Sequence, residues 1–117
     1  MEYYKLSVFS VVGSGFCIEA EEGEAVYEQI IKAFKNEKKV ELSFLNVEMT
    51  TTAFLNTAVG QLLKDYEKDF IKKNLKVVEA SNRIAIRLVR VVDTAEDFYK
   101  NPDLLKKSLE DFLFEEE

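Results

Sequence analysis

The chain has no histidine, one cysteine and one proline in 117 residues. Without histidine, Ser-His-Asp and Cys-His constellations are excluded, as are histidine-based metal sites. A lone thiol, Cys17, rules out an internal disulfide and a thiolate zinc cluster. Pro102 and four glycines leave no flexible linker, and there is no internal repeat or low-complexity tract. No apolar run approaches the roughly 20 residues that a membrane-spanning helix requires. The start, Met1-Glu2-Tyr3-Tyr4-Lys5, lacks a basic region followed by a long apolar one, so no secretory signal is expected. These absences point to the cytoplasm and away from a membrane partner. Basic charge is also scarce. Sixteen Lys and Arg face 22 Asp and Glu, for a net charge of −6. A nucleic-acid partner is not expected, because phosphate neutralisation needs a basic face.

What is present is an apolar majority of the non-charged residues. Apolar side chains make up 47% of the chain, with nine Phe and five Tyr. A domain of this length buries roughly two-thirds of its unfolded-chain surface. Residues 1–117 therefore read as one domain. Glu19, Glu21, Glu22, Glu24 and Glu28 cluster without an intervening base, and Glu115-Glu116-Glu117 closes the chain. Solubility and an acidic helix start account for them, since the helix dipole favours negative charge there. No carboxylate pair sits at a recognisable strand end with apolar shielding. Catalysis, a metal and a cofactor are therefore not expected.

Periodicity orders the chain. Tyr3 to Val12 is β-rich, Gly13-Ser14-Gly15 is a turn signal and Phe16-Cys17-Ile18 is a second short strand. Together they predict an N-terminal β-hairpin. Cys17 reads as a buried small hydrophobe. Val26, Ile30, Ala33 and Phe34 fall on one face of a helix from about Glu22 to Asn36. Val40, Leu42 and Phe44 alternate with Glu41, Ser43 and Leu45 in a strand. Phe54, Leu55, Ala58, Val59, Leu62, Leu63 and Tyr66 form the apolar stripe of a second helix, with Gly60 on its more polar face. Close approach of another backbone would explain that glycine. Asn74 reads as a left-handed cap before a strand at Leu75–Val78. Ser81 or Asn82 caps a third helix bearing Ile84, Leu88, Val91, Val92 and Ala95. Asn101-Pro102 starts a fourth helix with Leu105, Leu109, Phe112 and Leu113, so residues 101–117 read as a C-terminal helical extension. The order β-β-α-β-α-β-α-α predicts an α/β domain. Its mixed sheet has about four strands, at least partly parallel, with helices packed on it.

The segment Val47-Glu48-Met49-Thr50-Thr51-Thr52-Ala53-Phe54-Leu55 resembles the strand–helix junction of STAS domains, the fold of anti-sigma-factor antagonists. The whole order is most similar to a bacterial STAS-like family of unassigned function. The supporting features are Glu22-Gly23-Glu24, Lys38-Lys39, the strand from Val40 to Phe44, the threonine triplet, Gly60, and the run Phe70-Ile71-Lys72-Lys73-Asn74-Leu75-Lys76-Val77. The likeness covers roughly residues 3 to 100. In antagonist-type members the junction reads Asp-Ser-(Ser/Thr)-Gly, and the first serine is phosphorylated by a kinase that is also the anti-sigma factor. Position by position, Thr50 replaces the aspartate, Thr51 takes the phosphoacceptor place, Thr52 follows and Ala53 replaces the glycine. The resemblance implies a regulatory module that binds a histidine-kinase-like ATPase or another regulatory protein.

Two features carry candidate chemistry. At the triplet, Thr51 or Thr52 caps the second helix, and an exposed hydroxyl there would anchor a partner or accept a phosphoryl group. The expected contact surface is Asn46, Glu48, Thr50, Thr51, Thr52, Asn56, Thr57 and Gln61. The second feature is the full set of arginines, Arg83, Arg87 and Arg90, at i, i+4 and i+7 on the third helix. Internal ion pairing explains such a stripe, and so does docking of an acidic or phosphorylated partner. Under the docking reading, charge reversal at Arg87 abolishes pull-down of such a partner and leaves the melting temperature nearly unchanged. Two other function classes fit the composition: an acidic inhibitor or immunity-type protein using Glu19 to Glu28, and a small-ligand carrier with an anion site at the junction.

Overall fold

The computed structural model describes residues 3–100. The expected C-terminal helix on Leu105 to Leu113 falls outside that range. Five strands and five α-helices are found among the described residues. β1 (Tyr3–Ser7), β3 (Lys39–Ser43) and β5 (Leu75–Val78) form a parallel sheet in the order β1-β3-β5. β2 (Phe16–Cys17) and β4 (Met49–Thr50) form a second, two-stranded parallel sheet. The expected mixed four-stranded sheet is thus replaced by two parallel ones.

The N-terminal hairpin is not formed. Residues Val8–Val12 are a helix, α1, which carries the chain from one sheet to the other. Its valines favour a strand, but local hydrogen bonding at both ends overrides them. The Ser7 hydroxyl accepts from the Ser10 amide at 3.1 Å, as an N-cap does. At the other end Gly13, at φ 81°, donates to the Phe9 carbonyl at 2.7 Å, a left-handed stop that suits glycine. β1 then pairs with β3 from Tyr3↔Lys39 to Ser7↔Ser43.

α2 (Ala20–Lys35) starts two residues earlier than the periodicity suggests, because the Glu22 carboxylate accepts from the amides of Ile18 and Glu19. Val26, Ile30, Ala33 and Phe34 are buried along it, as expected. β3 buries Val40 and Leu42, and Phe44 just past it is buried too, while Leu45 is exposed.

The second predicted helix divides. α3 covers Thr52–Ala58, Val59 leaves helical geometry, and Gly60–Lys64 is a 3₁₀ turn. The stripe itself is buried from Phe54 to Leu63. Gly60 is also buried, contrary to its expected polar placement. A Cβ there would lie 2.5 Å from Asn56 Oδ1 and 3.2 Å from Val91 Cγ1, so the neighbours that need the space are side chains. α4 (Lys68–Asn74) follows, with Phe70 stacked on Tyr66 at 4.9 Å and edge-on to Phe34 at 5.4 Å. Asn74 is the last helical residue rather than a left-handed cap, and its amide donates to the Phe70 carbonyl at 2.8 Å. α5 (Asn82–Lys100) is capped by Ser81, whose hydroxyl accepts from the Ile84 amide at 3.2 Å. No described helix is long and apolar enough to cross a membrane.

Cys17 lies in the core with no exposed surface. Burial, and then the nearby Glu22 carboxylate, push its thiol from 9.0 up to about 11. The folded state therefore holds the proton more tightly than the unfolded chain. The associated stability is complete below pH 9.0 and is lost as the pH rises toward about 11. We expect Cys17 to resist alkylation by iodoacetamide at pH 8 until denaturant unfolds the chain. Rapid labelling of the native protein would contradict this.

Candidate functional site

The three threonines have three different environments. Thr50 pairs with Cys17 across the small sheet and is 2% exposed, so its side chain is withdrawn from the expected contact surface. Thr51 is half-buried and caps α3: its hydroxyl accepts from the Phe54 amide at 3.1 Å and donates to the Ile18 carbonyl at 2.6 Å. A phosphoryl group on that oxygen would break the Ile18 bond. Thr52 is the first residue of α3 and is exposed.

α5 reaches the same corner. The Arg87 guanidinium donates to the Thr50 carbonyl. Thr50 is so deeply placed that this carbonyl has little access to water, and the arginine supplies a charged donor in its stead. Between α3 and α5 lies an open groove of about 590 Å³. Thr52 and Asn56 line one wall; Arg83, Arg87, Arg90 and Thr94 line the other, with Ile86 and Val91 as apolar ground. Thr52 and the arginine stripe, separate in sequence, thus share one groove, while Thr50 and Thr51 do not line it.

The arginines bring unspent charge to it. The ion pairs among the described residues are Lys68–Asp93, Lys68–Glu96 and Lys100–Glu96, and none involves an arginine. Internal ion pairing, which the acidic composition predicts, is not found for the stripe among these residues. The positive charge of Arg83 and Arg90 faces the groove, while Arg87 divides its donors between the groove and Thr50.

Other predicted contact residues are dispersed. Thr57 donates to the Ala53 carbonyl of its own helix at 2.9 Å, with its Cβ against Gly23 of α2, and Gln61 donates to Glu24 of α2 at 2.8 Å. Asn46, at φ 68°, and Glu48 are exposed beside Gly15, where the Glu48 amide donates to the Gly15 carbonyl at 2.8 Å. None of these four lines the groove. The acidic cluster is partly committed to the fold, since Glu22 holds the start of α2 and Glu24 holds Gln61.

Ile86, Val91 and Thr94 belong to the site but were not read from the sequence as part of it. A signal existed. Residues 83, 86, 87, 90 and 94 follow the i, i+3, i+4, i+7, i+11 spacing of a single helical face.

Comparison with known families finds a match. A model described as "STAS-like domain of unknown function (DUF4325)" covers residues 22–85, just over half of the chain. The matched stretch includes the threonine junction and Arg83 and stops before Arg87 and Arg90. No curated protein and no solved structure matches the chain.

Proposed function

The chain belongs to this family of STAS-like domains, and from that premise we propose that it works without catalysis, by binding another protein in the groove between α3 and α5. One observation carries the reading. All the arginines of an acidic chain converge on one groove, and no carboxylate among the described residues neutralises them. Such charge is stable in water and gains most from an anionic partner that brings its own complement. Thr52 and Asn56 add neutral hydrogen-bonding groups opposite the stripe. The resemblance of the junction to anti-sigma-factor antagonists supports a regulatory partner, such as a histidine-kinase-like ATPase. The alternative acidic-inhibitor reading is weakened by the structural use of Glu22 and Glu24.

The test is the double substitution Arg83→Glu with Arg90→Glu. Both residues are exposed, so each change should shift stability by no more than about 0.5 kcal/mol. Co-purification from the native cell should lose the partners that the wild-type chain retains. In parallel, Glu21→Lys with Glu28→Lys should leave them bound. Retention by the arginine variant would move the contact surface elsewhere, and loss by the glutamate variant would favour the acidic face.

A further inference from the structure

Resting on that reading, we propose that the ligand of the groove is a phosphorylated side chain on a segment of the partner protein. The choice of base is the first argument. Arginine is the minority cation here, three of 16, yet the groove takes all three and no lysine. A site that needed only positive charge could use either residue. The guanidinium adds a planar fork of donors matched to phosphate oxygens.

Spacing is the second argument. Arg83 and Arg87, and Arg87 and Arg90, stand four and three residues apart on α5. Cβ atoms at these separations are about 5–6 Å apart, so two forks reach one tetrahedral anion. Arg87 has donors to spare after serving Thr50, because the guanidinium carries five.

Charge distribution is the third argument. A broadly acidic partner would meet repulsion from the rest of a chain with net charge −6. A phosphate concentrates about −1.5 to −2 charges on one side chain and delivers them to the arginine patch. The groove is open along α5, and Ile86 in its wall is 55% exposed. That apolar surface suits residues flanking the phosphorylated one, so an extended segment fits better than a small solute.

The experiment measures binding of the full chain to a degenerate phosphoserine and phosphothreonine peptide library. The same library unphosphorylated, the library with glutamate at the central position, and phenyl phosphate are the comparisons. The phosphorylated library should bind at least about tenfold more tightly than the glutamate library, because the forks engage phosphate in two directions. Arg83→Lys with Arg90→Lys keeps the charge and should still lose about tenfold. Equal binding of the glutamate library, an unaffected lysine variant, or no binding to any library would each overturn the phosphate assignment. Phenyl phosphate binding as tightly as the peptides would overturn the segment and assign the groove to a small ligand. These failures leave the protein-binding reading intact if the Arg83→Glu, Arg90→Glu chain still loses its cellular partners. If it keeps them, that reading fails as well.

Discussion

Gly23→Ala should lower the unfolding free energy by about 2 kcal/mol, even though alanine is the better helix former. Gly23 lies in α2 where that helix crosses α3. A Cβ at this position would sit 2.5 Å from the Phe54 carbonyl oxygen, 3.0 Å from Thr57 Cβ and 3.2 Å from the Ala58 amide nitrogen. Two of the three obstacles are backbone atoms, and no rotamer change removes them. The helices must move apart, which opens the contact above buried Phe54, Leu55 and Ala58. Overpacking of this kind costs roughly 1–3 kcal/mol, and a carbonyl at that distance places the cost at the upper end. Relief of glycine's entropy returns only about 0.5–1 kcal/mol. The two effects have opposite signs, so the experiment is decisive. Urea denaturation should show a lower midpoint at unchanged slope, with exposed Glu28→Ala as a control close to wild type. A Gly23→Ala chain more stable than wild type would show that the α2–α3 contact is looser than described. The substitution also displaces the wall that carries Thr52 and Asn56, so binding in the groove should weaken along with stability.

The second large effect is expected at Arg87. Replacement by methionine keeps much of the aliphatic stem and removes the donors to the Thr50 carbonyl. That oxygen then stays in a corner where its residue is 2% exposed. Leaving a buried acceptor unpaired costs about 1–3 kcal/mol, or about 4 °C of melting temperature for each kcal/mol in a chain of this size. Arg83 and Arg90 have no such partner among the described residues, so Arg83→Met and Arg90→Met should stay within about 0.5 kcal/mol of wild type. This revises the expectation that charge reversal at Arg87 leaves melting nearly unchanged. The middle arginine ties α5 to the junction, and the outer two are the clean probes of binding. Equal melting temperatures for all three variants would contradict that division.

Burial was legible in the sequence to a greater degree than hydrogen bonding was. The stripe from Phe54 to Leu63 is buried throughout, yet the backbone beneath it changes from α-helix to 3₁₀ turn at Gly60. Periodicity reports which side chains leave water, and it responds weakly to the ladder that carries them. The alternation at Val40, Leu42 and Phe44 survived for the same reason. The hairpin does not form although Tyr3 to Val12 is one β-rich run. Ser7 and Gly13, six residues apart, bracket a helix and outvoted the valines between them. At the site, the strand-to-helix transition was legible at the threonines, but their individual exposures were not. Those depend on β2, whose Cys17 pairs with Thr50, and on Ile18 just past that strand, whose carbonyl accepts from the Thr51 hydroxyl. The union of Thr52 with the arginines was equally hidden, since it joins residues more than 30 positions apart through packing alone.

The parallel order β1-β3-β5 governs how this molecule can be made. Tyr3 waits for Lys39, and Val40 waits for Leu75. No strand finds its neighbour locally, so each pairing closes a long loop before it returns any hydrogen bonds. On the ribosome, β3 emerges with one flank unoccupied until translation has passed Val78. For that interval its amides and carbonyls are open to other nascent chains.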